Sequence, residues 1–241
     1  MNKLRATLLR SRVRYCIGQA DPGLKIEEAL DSGKLLFVPL RKGLLGEEAA
    51  ALLGSLFVSR LWQAIQSRTG KPEHQRRQTH LYIDEVQDYL HLPTSVGDML
   101  AQARGLKLGL TVAHQHLGQL PTELRQDLLA NCRSRVIFQT TAKDAHTFEQ
   151  ELKPYLTAED LQGLGRFEIV AQLAVGQRVA PPVTGVTLRP PEETHRMQSA
   201  VAWSRQHYGR DRADIEAAMR ARHSPAPPTA PIGRQPLGGS S

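Results

Sequence analysis

The sequence has no stretch approaching the roughly 18 uninterrupted apolar residues that a membrane-spanning helix needs. Its N-terminus is basic, but no signal-peptide hydrophobic block follows, so a secretory leader is not expected. Cysteine is scarce: Cys16 and Cys132 are the only two, and neither has metal-ligand spacing around it. A disulfide framework is not expected, and a reducing cytoplasm fits. No internal repeat is present.

What remains is ordinary in bulk and uneven in charge. The 241 residues suffice for one sizeable α/β domain, or one domain and a tail, and 40% hydrophobic content suits a packed core. The formal net charge is +7 and the pI is about 9.7, a balance compatible with nucleic acid or another anionic surface. Residues 1–14 carry Lys3, Arg5, Arg10, Arg12 and Arg14 with no acid, and 189–222 hold seven arginines partly offset by five acids. A solvated helix face accounts for such runs as well as a binding surface does.

Glycine and proline divide the chain into alternating units. The apolar run 34–40 (KLLFVPL) predicts a buried strand. Ala49, Leu53, Leu56, Phe57, Leu61, Ala64 and Ile65 recur at helical spacing up to Arg68. Residues 79–84 (THLYID) predict a second strand, and the pattern suggests a right-handed βαβ crossover and a parallel sheet. A short helix ending near Gly105, a strand over 107–113, a helix after Pro121, a strand over 134–140 and a helix over 143–152 follow. Two further strands are expected over 166–175 and 183–188, then one or two surface helices over 192–222. From Ser224 proline, glycine and serine dominate, the composition of a disordered tail.

Chemistry concentrates at two predicted strand ends. Leu81-Tyr82-Ile83 runs into the paired carboxylates Asp84 and Glu85. At the carboxyl end of a parallel strand, a carboxylate such as Asp84 can hold magnesium through water, and an adjacent Glu85 can orient or deprotonate an attacking water. Thr111-Val112-Ala113-His114-Gln115 brings a second strand to a glutamine, which can donate to a phosphate oxygen while accepting from water. Arg104, at the end of the intervening helix, offers a planar charge suited to a phosphoryl-transfer transition state. Each has a plainer reading too: a solvated strand terminus, a loop glutamine, and an arginine complementing a helix dipole. His114 reads as a loop or packing residue.

In this order the three pieces resemble the second half of the motor domain in type IV secretion coupling proteins and HerA/FtsK-like translocases. Gly46-Glu47-Glu48 upstream, and Leu129-Ala130-Asn131 before Arg135-Val136-Ile137-Phe138 downstream, extend the resemblance over roughly residues 10–190. It implies an α/β, partial RecA-like P-loop NTPase domain with a mainly parallel sheet flanked by helices. It implies hexameric rings that translocate DNA, with ATP and Mg2+ between subunits, and ties to a secretion apparatus at the cytoplasmic face of the membrane. On this pattern Asp84 and Glu85 match the Walker B pair, Gln115 the sensor glutamine that contacts the nucleotide, and Arg104 the arginine that reaches a neighbour's site. Arg133 or Arg135 is a weaker match to a second such arginine. The expected division is a basic segment over 1–14, the C-terminal half of the ATPase domain over 15–190, a helical extension over 191–223 and a tail over 224–241.

One component of that family's site is missing. No G-x-x-x-x-G-K-[ST] string occurs; Gly70-Lys71 is followed by Pro72. Charge-assisted hydrogen bonds to phosphate contribute roughly 1.5–3 kcal/mol each. Without the loop's lysine and amides, the isolated chain is expected to bind ATP weakly and to hydrolyse it poorly. The family places its first strand and this loop upstream of every motif found here. The expected explanations are a truncated gene, a motor completed by a second, P-loop-bearing chain, or a mis-called start at Met1. The second functional reading is a non-catalytic basic nucleic-acid-binding or assembly module derived from the fold. An unrelated α/β enzyme using Asp84 and Glu85 is the third reading.

Overall fold

The computed structural model describes residues 11–21, 23–90 and 96–223. Most of the basic run at the start and the tail expected from 224 lie outside the described residues. The chain divides into two compact units, one of residues 25–195 and one of residues 1–24 with 196–241.

Helix α1 (Ser11–Ile17) belongs to the terminal unit. The central unit begins with α2 (Ile26–Asp31) and the single turn α3 (Lys42–Leu45), followed by the long α4 (Glu47–Gln66). Alanine and leucine dominate α4, and Glu47 and Glu48 in its first turn complement the positive end of the helix dipole. Its buried stripe includes Ala50, Val58, Leu61, Trp62 and Ile65. Gly54 marks its tightest approach: a Cβ there would stand 2.3 Å from Tyr89 Cδ1 and 2.7 Å from Leu40 Cδ1. A 3-10 turn, Ser67–Gly70, ends the helix. Arg68 is buried in it, donating to the Arg77 carbonyl (2.9 Å) and Thr79 Oγ1 (3.0 Å) and fixing the polar loop to the next strand.

Strands β1 (Thr79–Ile83) and β2 (Leu108–Val112) pair in parallel, with α5 (Val96–Ala103) as the crossover between them. The register sets Leu81 beside Leu110 and Ile83 beside Val112. Alternation places these four on one face, where they join the clusters built on Trp62, Ile65 and Met99 and on Val58 and Val86. The opposite face shows His80 and Tyr82, the latter 71% exposed. A parallel pair with one open face is unusual, because such sheets are commonly covered on both sides.

After α6 (Thr122–Asn131) come β3 (Arg135–Ile137), α7 (Ala142–Leu152), α8 (Ala158–Gln162) and β4 (Glu168–Gln172). The short β5 (Ala174–Val175) and β6 (Arg178–Val179) form a small hairpin before β7 (Val183–Val186). Strands β3, β4 and β7 make an antiparallel sheet in that order. Ile137 and Val170 face Ala145, Leu152 and Leu161 of the helices in a third core cluster. Thr141 and Thr157 cap α7 and α8, each accepting the N–H of the residue three positions on.

The run 34–40 is a correction. It forms no strand, and Leu35 and Phe37 are 84% and 86% exposed. Apolar composition specifies a strand only where an edge is available to pair, and Pro39 removes one of the donors such a ladder would use. Leu40 of this run reaches α4, against Gly54.

The expected surface helices appear as α9 (Met197–Tyr208) and α10 (Arg212–His223), in the terminal unit with α1. Among the described residues no helix is long and apolar enough to cross a membrane.

Burial assigns opposite outcomes to two large apolar residues. Ile65→Ala is expected to cost about 2–5 kcal/mol in chemical denaturation. Phe37→Ala is expected to stay within about 0.5 kcal/mol, because its ring packs on little. A cost above about 2 kcal/mol for Phe37→Ala would show that the ring is covered in solution.

Candidate functional site

The parallel pair stays zipped past its formal end. Ala113 N–H donates to the Ile83 carbonyl (2.9 Å), and Val86 N–H donates to the Ala113 carbonyl (3.0 Å). The two segments that follow β1 and β2 therefore emerge side by side at one rim, carrying Asp84-Glu85 and His114-Gln115.

At the first, Asp84 Oδ1 accepts the Glu85 N–H at 3.0 Å. Glu85 itself adopts a left-handed backbone, φ 51° and ψ 54°. For a residue with a Cβ this conformation costs on the order of 1–3 kcal/mol and persists only where neighbours enforce it. It turns the chain from strand into the 3-10 turn Val86–Asp88. The turn folds Gln87 back, so that its Nε2 donates to Glu85 Oε2 at 2.7 Å. From the second segment Gln115 Nε2 donates to Glu85 Oε1 at 2.6 Å.

Each oxygen of Glu85 thus has an amide donor. The two hydrogen bonds, Gln87's first, hold the carboxyl below the usual range, with a smaller contribution from the Lys42 ammonium. Lys42 arrives from α3, its Nζ 2.5 Å from Asp88 Oδ2. That oxygen is buried and has no other partner among the described residues. Asp88 in turn raises the Lys42 ammonium above its ordinary value. Burial pushes the neighbouring Tyr89 hydroxyl up and the His114 imidazole down. His114 is therefore neutral at pH 7, which suits packing rather than charge.

A second set of contacts fixes the Gln115 loop. Gln115 N–H donates to Gln119 Oε1 (3.2 Å), and Leu117 N–H donates to Asp144 Oδ2 (2.9 Å). Asp144 is only 4% exposed and lies in the first turn of α7. The loop carrying Gln115 is thereby tied to the helix layer behind the antiparallel sheet.

Sequence singled out Asp84, Glu85 and Gln115, and the structure brings them together. Arg104 lies elsewhere: it follows α5 and precedes β2, at the opposite end of the parallel pair. Five residues of strand separate the two ends, about 17 Å at 3.3–3.4 Å per residue. Arg133 donates to the Gln177 carbonyl (2.7 Å), and Arg135 is paired with Glu151, so both have structural work. Lys42, Gln87, Asp88 and Asp144 were missed. Gln87 had a local signal in its place two residues after Glu85; the others are brought in by tertiary packing alone. Among the described residues no three or more His, Cys, Asp or Glu side chains form a group able to hold a metal. A divalent ion at Asp84 would draw its remaining ligands from water and a bound phosphate.

No family model and no curated protein matches the chain. Solved structures do. The plasmid coupling protein TrwB in complex with ADP and Mg2+ is 22% identical, with a TM-score of 0.60 over 72% of this chain. The unbound bacterial conjugative coupling protein TrwB gives 22% identity and a TM-score of 0.59 over the same share. TrwB in complex with a non-hydrolysable ATP analogue gives 21%, 0.56 and 70%. The chain has the fold of TrwB. It is an α/β fold with a parallel pair and flanking helices. The match spans 45% of the length of each of these TrwB structures.

The amide cage gives a signed prediction. A carboxyl whose folded value is depressed stabilises the fold above its unfolded value, and that contribution is lost as pH falls through the folded value. Gln115→Leu removes one donor to the ionised form. It is expected to move the Glu85 carboxyl back up toward the ordinary range in a carbon-detected NMR titration. The pH-dependent contribution of this site to stability shrinks accordingly, because the folded and unfolded values converge. An unmoved titration would show that Gln115 does not hold Glu85 in solution.

Proposed function

We propose that this chain is part of an ATP-driven motor that translocates DNA, contributing the water-orienting and phosphate-sensing side of a nucleotide site whose phosphate-cradling loop comes from sequence not contained in these residues. The Gln115–Glu85 hydrogen bond is the observation that carries the proposal. It joins an acid pair and an amide at the rim of parallel strands, where α/β folds of this kind hold their ligands. The shared fold with a conjugative coupling protein, seen elsewhere bound to ADP and Mg2+, supports the same reading.

The contacts suggest how the site works. Gln115 Nε2 carries two N–H donors, and at rest it directs one of them at Glu85 Oε1. A terminal phosphate oxygen at the rim competes for that amide. When the phosphate takes it, Glu85 Oε1 is released to accept from a water, while Gln87 keeps Oε2 in place. Glu85 is then ionised, aimed and half free, the state needed to orient or deprotonate an attacking water. Loss of the phosphate returns Gln115 to Glu85, a movement that the Gln119 and Asp144 contacts pass to α7. Asp84, exposed beside it, is the carboxylate for magnesium through water, which neutralises phosphate charge when bound. Arg104 serves a neighbouring subunit of a homo-hexameric ring, or of a mixed assembly with a P-loop-bearing chain. The setting is the cytoplasmic face of the membrane, beside a secretion apparatus.

The absent G-x-x-x-x-G-K-[ST] string favours one other reading, a binding or assembly module with no turnover of its own. Mixing the chain with a P-loop-bearing chain separates the two. The motor reading expects ATP hydrolysis from the mixture and at least about a hundred-fold lower kcat with Glu85→Gln. No hydrolysis from any such mixture favours the module. Hydrolysis that Glu85→Gln leaves intact removes Glu85 from the mechanism.

A further inference from the structure

We propose that the terminal unit carries a binding site for single-stranded nucleic acid, with an arginine-lined cleft between α1 and α10 for the phosphates and the exposed Trp203 of α9 for a base. The proposal rests on the DNA-motor reading for its biological sense, but its physical basis lies in a different part of the chain from Glu85 and Gln115.

The cleft is built rather than incidental. Val13 of α1 and Ile215 of α10 are buried. Just past α1, Gly18 lets α10 come close: a Cβ at Gly18 would stand 2.9 Å from Met219 Cε. The cavity left between the helices has a volume of about 660 Å3, with Arg14, Arg212 and Arg220 lining it. Among the described residues, its single carboxylate is Glu216. Three guanidinium groups against one carboxylate leave the lining with an excess of two positive charges.

The arrangement of these charges also matters. Glu216 is 30% exposed and accepts from Tyr15 Oη and from Arg212 Nε (2.9 Å), with Arg220 Nη2 3.9 Å away. The Tyr15 hydroxyl, and then Arg212, hold the Glu216 carboxyl below the usual range. Arg212 and Arg220 are 72% and 78% exposed. The acid therefore sits low and organises the site, and the guanidinium groups meet whatever approaches. Arg14 and Arg212 both lie over the Tyr15 ring, 5.7 and 5.1 Å from its centroid, which orients their planes. Oriented planar forks suit phosphodiester oxygens.

Helix α9 decides between a nucleic acid and an acidic peptide. It has no buried residue and no acidic one. Trp203 is half exposed, and its ring stacks on His207 with centroids 4.0 Å apart and planes 23° from parallel. Arg205 lies on the same helix. A flat, exposed aromatic platform in a basic setting suits an unpaired base, whose face stacks on it irrespective of sequence. An acidic peptide has no use for it. Trp62, the other tryptophan, is buried in the central unit, so a ligand-induced change in tryptophan emission reports Trp203.

Fluorescence anisotropy of a labelled oligo-dT titrated with the full chain over a range of NaCl tests the proposal. Arg14→Ala combined with Arg220→Ala leaves the Tyr15–Glu216–Arg212 contacts in place. It is expected to weaken binding at least tenfold and to flatten the salt slope by about 1.4, two phosphates at about 0.7 each for a single strand. Oligo-dT is expected to quench tryptophan emission, and Trp203→Ala to abolish that quenching. Unchanged affinity and slope in the double variant, with an unchanged circular dichroism melt, would overturn the proposal. So would poly-glutamate competing as well as oligo-dT at equal charge with no quenching, which identifies an acidic protein surface instead. If Glu85→Gln leaves ATP turnover intact while the double variant still loses oligo-dT, the motor reading fails and this site stands.

Discussion

The structure depends on a single pairing, the parallel register of β1 and β2. Because Ile83 lies beside Val112 and the ladder continues through Ala113 and Val86, the residues that follow the two strands are delivered to the same place at the same height. A slip of one residue would turn Leu81 and Ile83 to the open face and carry Gln115 away from Glu85. The register is fixed from below, because the residues that set it are those buried against α4 and α5. Core packing and site geometry are therefore one constraint. Ile65 and Met99 are as much part of the Glu85–Gln115 contact as the two side chains that make it.

Glu85 shows how such a constraint is used. Its left-handed backbone is unfavourable for any residue but glycine or asparagine, yet the side chain is needed, so surrounding contacts must hold the turn. Gln87 closes it from one side, Gln115 from the other, and the Lys42–Asp88 pair closes it from behind. The result is a carboxylate with satisfied acceptors and an ionised state at any pH near neutral. That is the resting form which the proposed competition for the Gln115 amide requires.

The legible parts of the sequence are those in which local pattern and tertiary demand agree. The apolar period of α4, the alternation of 79–83 and 108–112, and the carboxylates and amide at their ends could all be read directly, since each is specified within a few residues. The run 34–40 shows the opposite. Its composition is as apolar as that of β1, but a strand is a relation between two segments, and nothing within seven residues says whether a partner edge exists. Lys42, Asp88 and Asp144 were illegible for a related reason. Each acts across 27 to 46 positions, Lys42 on Asp88 and Asp144 on the Leu117 N–H, and no periodicity encodes such a distance.

Arg104 carries the logic of the sheet one step further. A βαβ unit whose crossover ends at one rim cannot place the last residue of its helix at the other rim, whatever rotamer that residue adopts. An extended arginine spans about 7 Å from Cα to guanidinium, less than half the roughly 17 Å along β2. Within one chain Arg104 and Glu85 are thus held apart by the same parallel pairing that brings Gln115 and Glu85 together. Any chemistry that joins all three must be shared between chains, with one copy presenting its Arg104 end to another copy's Glu85 end. Repetition of that head-to-tail contact closes into a ring if its rotation is commensurate and forms a filament if it is not. In the motor proposed above, a closed ring would supply each carboxylate rim with an arginine from its neighbour.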